Sequence, residues 1–230
     1  MTQDYTGQNH SVKEIIKREK RLRALGLEHL CDCDFAHDNG QNPVAFRVIR
    51  EYANNFEEMQ EDGTGLFIYG GPGAGKSYAA AQIVNELTDR GFDCLFTSMN
   101  HIMTELNTLS LEGRRNLFYQ LFSRDLLVLD DLGSEVESSY SNQVFIQIVN
   151  TCLSKCIPVI ITTPYHEDVL TEEGNEKRIM ALTRLLKRNI GFTVQLPAER
   201  LHRDLQQKQK KETLVKGANS NAGKTDSPEH

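Results

Sequence analysis

The 230-residue chain has no run of 18 apolar residues, so a membrane-spanning helix is excluded. Its first residues, MTQDYTGQNH, lack a basic stretch followed by an apolar one. A secretory leader is therefore not expected, and a cytoplasmic location is. Positive charge is in deficit: 26 Lys and Arg stand against 32 Asp and Glu, for a net charge of -6. A surface coated throughout with positive charge is excluded, although a local basic patch is not. Tryptophan is absent, and cysteine is present in an odd number, five. With no export signal, these read as reduced thiols. One cysteine cluster, His29-x-Cys31-x-Cys33-x3-His37, uses zinc-ligand residue types. Its C-x-C spacing is tighter than a structural zinc pair and no second C-x2-C follows, so packing of the thiols is the expectation. What is there is an ordinary globular balance, 39% hydrophobic and 25% charged, in a chain long enough to bury a core without disulfides.

Residues 1–10 are polar and read as disordered. From Ser11 the text turns helical, with six basic residues between Lys13 and Arg23 against Glu14 and Glu19. This basic helix suits docking on a partner or touching DNA, or serves as a solvated linker face. A helical stretch follows from Asn42 to about Glu61. Short apolar runs then alternate with helices of 10–15 residues. GLFIYGG, DCLFTS, DLLVLDD, PVIITT and GFTVQL read as five strands. Such alternation specifies an α/β fold, a parallel sheet covered on both faces. The expected division is a basic helix over 1–30, a nucleotide-binding domain over 31–205 and a mostly disordered tail over 206–230, poor in anything to bury. A short helix to about Lys211 is expected before that tail.

The strongest motif is Gly70-Gly71-Pro72-Gly73-Ala74-Gly75-Lys76-Ser77, which fits G-x4-G-K-[ST] with a strand before it and a helix beginning near Lys76 after it, and these residues with Tyr78 are the expected nucleotide-binding segment. Glycines let backbone N–H groups turn inward onto phosphate oxygens. The helix start aims its positive dipole end at the same anion. Lys76 is placed to meet the β- and γ-phosphates of ATP, and the Ser77 hydroxyl to ligate Mg²⁺. About fifty residues on, Leu126–Asp131 is an apolar strand ending in two carboxylates. Asp130 is the expected second metal ligand and Asp131 the group that orients the attacking water. A strand separating the two motif strands is typical of hydrolases that do mechanical work.

These motifs, with GFDCLFTSMNHIMTELN, DLLVLDDLGSE and PVIITT, resemble the AAA+ motor of the DnaC and IstB family, bacterial and phage helicase loaders and ATPase helpers of transposons. The resemblance runs from about Cys33 to Arg203. It implies the AAA+ (ASCE) form of the P-loop fold, ATP with Mg²⁺, ATP-dependent homo-oligomers with nucleotide between subunits, and single-stranded DNA binding. For the loaders it implies a DnaB-type replicative helicase as partner. The family's polar sensor at the tip of the fourth strand falls on Thr162-Thr163-Pro164, with Thr163 as its substitute. Its trans-acting arginine falls on Arg184, with Arg178 second, and Arg203 lies near a second sensor. Loaders carry a substantial helicase-binding domain ahead of the motor, where this chain has about thirty residues. The leading expectation is an ATPase that loads a replicative helicase on single-stranded DNA. The alternatives are a transposase helper, or a nucleotide-dependent binding module with little hydrolysis.

Overall fold

The computed structural model describes residues 6–37, 42–172 and 174–197. The expected helix to Lys211, the tail and Arg203 lie outside these residues. Five strands form one parallel sheet: β1 (Gly65–Tyr69), β2 (Cys94–Ser98), β3 (Leu126–Asp130), β4 (Val159–Thr163) and β5 (Ile190–Gln195), in the spatial order β2-β3-β4-β1-β5. The strand that intervenes between the motif strands in sequence, β2, lies at the sheet's edge. The strand that separates β1 from β3 in space is β4, which pairs with both.

Nearly every residue of β1, β3 and β4 is buried, as strands covered on both faces must be. Alternate residues divide between two cores. Leu66, Ile68, Leu126, Val128 and Ile160 face one cluster. It is closed by α1 (Thr6–Leu25), α2 (Pro43–Asn54), α3 (Phe56–Asp62) and α4 (Lys76–Arg90). Phe67, Leu127, Leu129, Val159 and Ile161 face the other. That side is closed by α5 (Met99–Thr108), α6 (Leu111–Leu121), α7 (Ser139–Lys155) and α9 (Glu176–Arg188). The short α8 (Glu167–Glu172) buries no residue fully, so its polar text carries no helical signal. The stretch expected as one helix from Asn42 to Glu61 breaks at Asn55, which caps α2 and opens α3.

The basic helix differs from expectation in two respects. It starts at Thr6, inside the stretch read as disordered, because nothing in that polar text forces a stop. Its last two turns also belong to the core. Ala24 and Leu25 are buried with Leu30, Cys31 and Cys33 in the first cluster, so the expected boundary at residue 30 has no counterpart in the packing. Arg21 is buried, donates through Nη1 to the Cys31 carbonyl at 2.8 Å, and pairs with Asp89 near the end of α4. Lys17 reaches the same carboxylate at 3.2 Å. Further back along the helix, Val12, Ile15 and Ile16 are exposed.

The segment after α1 is held by amide side chains of α4. Asn85 donates to the carbonyls of Leu30 and Cys33, and Gln82 to that of Asp34. Cys31 and Cys33 are buried, and their thiols lie against the Leu27 and His29 carbonyls. Burial pushes the Cys33 thiol up to about 11, which disfavours the thiolate a metal needs. Among the described residues, no group of His, Cys, Asp and Glu is placed to hold a metal ion in this way.

Candidate active site

The phosphate loop joins β1 to α4 at the carboxyl edge of the sheet, where ligands meet open α/β sheets. Gly70 and Gly75 show why its backbone requires glycine. A Cβ at Gly70 would lie 2.0 Å from the Leu196 carbonyl oxygen, because the end of β5 closes over the loop. Gly75, at the head of α4, has φ 88°, a left-handed conformation that side chains resist. No side chain caps α4 at Gly75, which leaves the positive end of the helix dipole turned toward an anion at the loop. Ala74 and Tyr78 pack partly against the first core, while Pro72 and Gly73 lie exposed on the rim.

Lys76 is buried, and its ammonium donates to the Gly70 and Gly71 carbonyls at 2.8 and 3.1 Å. Burial lowers its pKa, and Asp131 and Asp130 work in the opposite direction. The lysine thus sits under the loop, between the phosphate cradle and the two carboxylates.

Asp130 is the hub. Ser77 Oγ donates to its Oδ2 at 3.0 Å, and Thr162 Oγ1 donates to its Oδ1 at 2.5 Å. The Thr162 hydroxyl also accepts from the Asp131 backbone N–H at 2.9 Å. One side chain of β4 therefore fixes both members of the acidic pair. Burial raises the Asp130 carboxyl, and the bonds from Thr162 and Ser77 oppose it. A divalent cation at this point would relieve the desolvated charge. Ser77 and Asp130 offer hard oxygen donors on adjacent elements, which suits Mg²⁺.

Of the two hydroxyls at the tip of β4, it is Thr162 and not the expected Thr163 that meets the acidic pair. Thr163 is fully buried and donates to the Leu132 carbonyl at 2.7 Å, bracing the turn after β3. Strand parity explains the difference. Val128 pairs with Ile160 and Leu129 with Ile161, so Asp130 and Thr162 share the face that carries α4 and Ser77. Thr163 falls on the opposite face. The alternation of PVIITT beside LLVLDD holds that signal in the sequence.

The two arginines separate as well. Arg178 is buried and cannot reach a neighbouring subunit. It pairs with the buried Glu135, donates to Asn142 at 3.2 Å and lies over the Phe145 ring at 4.4 Å. Arg178 is thus removed from the trans-acting candidates, because its guanidinium is consumed inside its own chain. Arg184 is exposed, with only a 3.5 Å contact to Asn150. It lies eight residues along α9 from Glu176, about 12 Å of helix toward the amino edge of β5 and away from its own phosphate loop. Sequence reasoning passed over Glu135, whose role appears only when α9 is packed beside the turn after β3.

A phosphate loop, a buried lysine and a carboxylate hub at the edge of a sheet with β4 between the motif strands define an AAA+ P-loop nucleotide-binding domain. Residues 7–186 match the family model described as IstB-like ATP binding protein. The chain belongs to this DnaC- and IstB-like family of AAA+ ATP-binding proteins. It is 33% identical over 174 residues to the replicative helicase loader DnaC of Escherichia coli strain K12, covering 74% of this chain and 71% of that one. The fold is similar to a crystal structure of the DnaC helicase loader, with a TM-score of 0.59 at 23% identity, over 78% of this chain and 99% of that one. It is also similar to the replication initiator DnaA bound to AMPPCP and single-stranded DNA, with a TM-score of 0.56 at 22% identity, over 69% and 47% of the two chains. Among the described residues, no helix is long and apolar enough to cross a membrane.

Proposed function

We propose that the protein is an ATP-hydrolysing loader that places a DnaB-type replicative helicase on single-stranded DNA, acting from the cytoplasm. The observation that carries the helicase assignment is its 33% identity to a named replicative helicase loader across most of both chains. The chemistry rests on the hub at Asp130. In this reading, the loop N–H groups of Gly71, Gly73, Gly75, Lys76 and Ser77 and the Lys76 ammonium bind the triphosphate of ATP. Ser77 and Asp130 would hold Mg²⁺, which would supply charge neutralisation to the triphosphate. Asp131 orients the attacking water, while Thr162 holds its backbone and its metal-binding neighbour in register. Arg184 of one subunit completes the site of the next, since Lys76 leaves one side of the γ-phosphate without a cation. The homo-oligomer therefore forms with ATP between subunits.

Single-stranded DNA binding belongs to that assembly, because an acidic monomer concentrates too little positive charge by itself. The stretch of α1 that carries the exposed Val12, Ile15 and Ile16 is the proposed contact for the helicase.

The test is retention of a purified replicative helicase on single-stranded DNA circles. Retention is expected only with this protein and ATP, and is expected to weaken as salt rises. Retention that is equal without the protein defeats the loading role. The description of the matching family model favours a second reading, an ATPase helper of a transposase. Capture of a transposase, with no effect on the helicase, would select it.

A further inference from the structure

Asp131 is one of two described non-glycine residues with positive φ, at 56°. Aspartate tolerates that conformation better than most side chains, and here its surroundings fix it there. On one side β4 does so, through Thr162 and Thr163. On the other, the Ser134 backbone N–H and hydroxyl both donate to the Asp131 carbonyl, at 3.2 and 2.8 Å. The Gly133 N–H donates to Glu135 Oε2 at 2.8 Å. The second oxygen of Glu135 is taken by Arg178, from the first turn of α9.

We propose that Glu135 and Arg178 form a positioning pair that sets the Asp131 turn from α9, and with it the carboxylate that orients the attacking water. The proposal rests on the hydrolytic role given to Asp131 above. Both side chains are more than nine-tenths buried. A buried ion pair is commonly matched in stability by apolar side chains of similar volume, so packing alone does not call for one here. An apolar pair cannot accept the Gly133 N–H or give the turn a direction. The fork of Arg178 is fixed in turn by Asn142 on α7 and by the Phe145 ring. The turn is therefore clamped between β4 and the α7–α9 layer. Arg184 lies six residues further along the same helix, so a displacement of α9 at a subunit contact reaches Asp131 through this pair.

The experiment compares the full-length parent with Arg178→Lys and with the apolar double variant Glu135→Leu/Arg178→Met. Four quantities are read: melting temperature, affinity for a fluorescent ATP analogue, turnover, and amide exchange over residues 131–135. The double variant is expected to melt close to the parent and to bind nucleotide within a factor of a few. Its turnover is expected to fall on the order of 10²-fold, the scale of a misplaced catalytic group. Its Gly133 and Ser134 amides are expected to exchange faster. Arg178→Lys keeps the charge without the fork and should lie between the two. Parental turnover in a folded double variant, or in Arg178→Lys should the double variant not fold, overturns the proposal. If the parent itself does not hydrolyse ATP, the hydrolytic reading fails separately. The pair is then judged by exchange, and unchanged protection of the turn overturns it.

Discussion

Thr162→Val replaces a fully buried hydroxyl with a methyl group of the same shape, so no cavity opens. Two bonds are lost. The Asp131 N–H loses its acceptor at 2.9 Å, a part-buried bond worth about 0.5–1.5 kcal/mol at any pH. Asp130 loses a donor at 2.5 Å, worth about 1.5–3 kcal/mol while the carboxylate is ionised and about 1 kcal/mol when it is not. The Asp130 carboxyl is already raised by burial, and Thr162 is one of the groups that pull it down. In the variant it rises further. A carboxyl whose folded pKa exceeds its unfolded value binds its proton more tightly in the native state, so stability falls as pH rises through that window. The window opens near the unfolded value of about 3.9 and extends further upward in the variant than in the parent. The stability gap is therefore expected to be smallest near pH 4 and to widen by about 1–2 kcal/mol toward pH 8. Urea denaturation across that range measures it. For a domain of this size, about 1 kcal/mol corresponds to roughly 2–4 °C in melting temperature, an independent check. A gap that stays constant with pH, or closes toward pH 8, refutes the assignment of Thr162 to the ionised Asp130.

Two further outcomes follow from the packing. Removing residues 1–16 is expected to leave stability within about 0.5 kcal/mol of the parent and to abolish helicase capture, as a pull-down shows. Removing residues 1–26 also strips Arg21 and Leu25 from the core and is expected to cost several kcal/mol, on the order of 2–5 for the leucine alone, in a denaturant titration. Arg184→Ala is expected to bind ATP normally and to lose turnover by about 10³-fold or more. Mixing it with Lys76→Ala is expected to restore part of that turnover, because each subunit supplies the half-site the other lacks. Co-assembled mixtures that stay inactive would remove Arg184 from the site.

The sheet and the phosphate loop were legible because both are local. Five apolar runs at strand length and a glycine-rich loop between strand and helix need no distant partner to be recognised. What the sequence did not yield depends on neighbours remote in the chain. The end of the basic helix looked like an appendage until Asp89 and the buried face of α4 supplied its partners. Arg178 and Arg184 look alike in EKRIMALTRLLKR, yet one faces Phe145 and Glu135 and the other faces outward. The choice between Thr162 and Thr163 was available in principle, because the strand alternation that divides the two cores also sorts the two hydroxyls. It required knowing that β4 lies beside β3, a fact of topology and not of local pattern.

Equilibrium binding of ATP with Mg²⁺ to the parent, Lys76→Ala and Asp131→Asn, with turnover measured on the same samples, tests the nucleotide site most directly. The buried Lys76 ammonium and the Asp130 hub predict saturable binding by the parent and markedly weakened binding by Lys76→Ala. Asp131→Asn should bind like the parent and fail to hydrolyse. Saturated at 100 times its dissociation constant, ATP should also stabilise the parent and Asp131→Asn by about 2.7 kcal/mol and Lys76→Ala by less. Equal affinity and equal turnover in all three proteins would contradict the site.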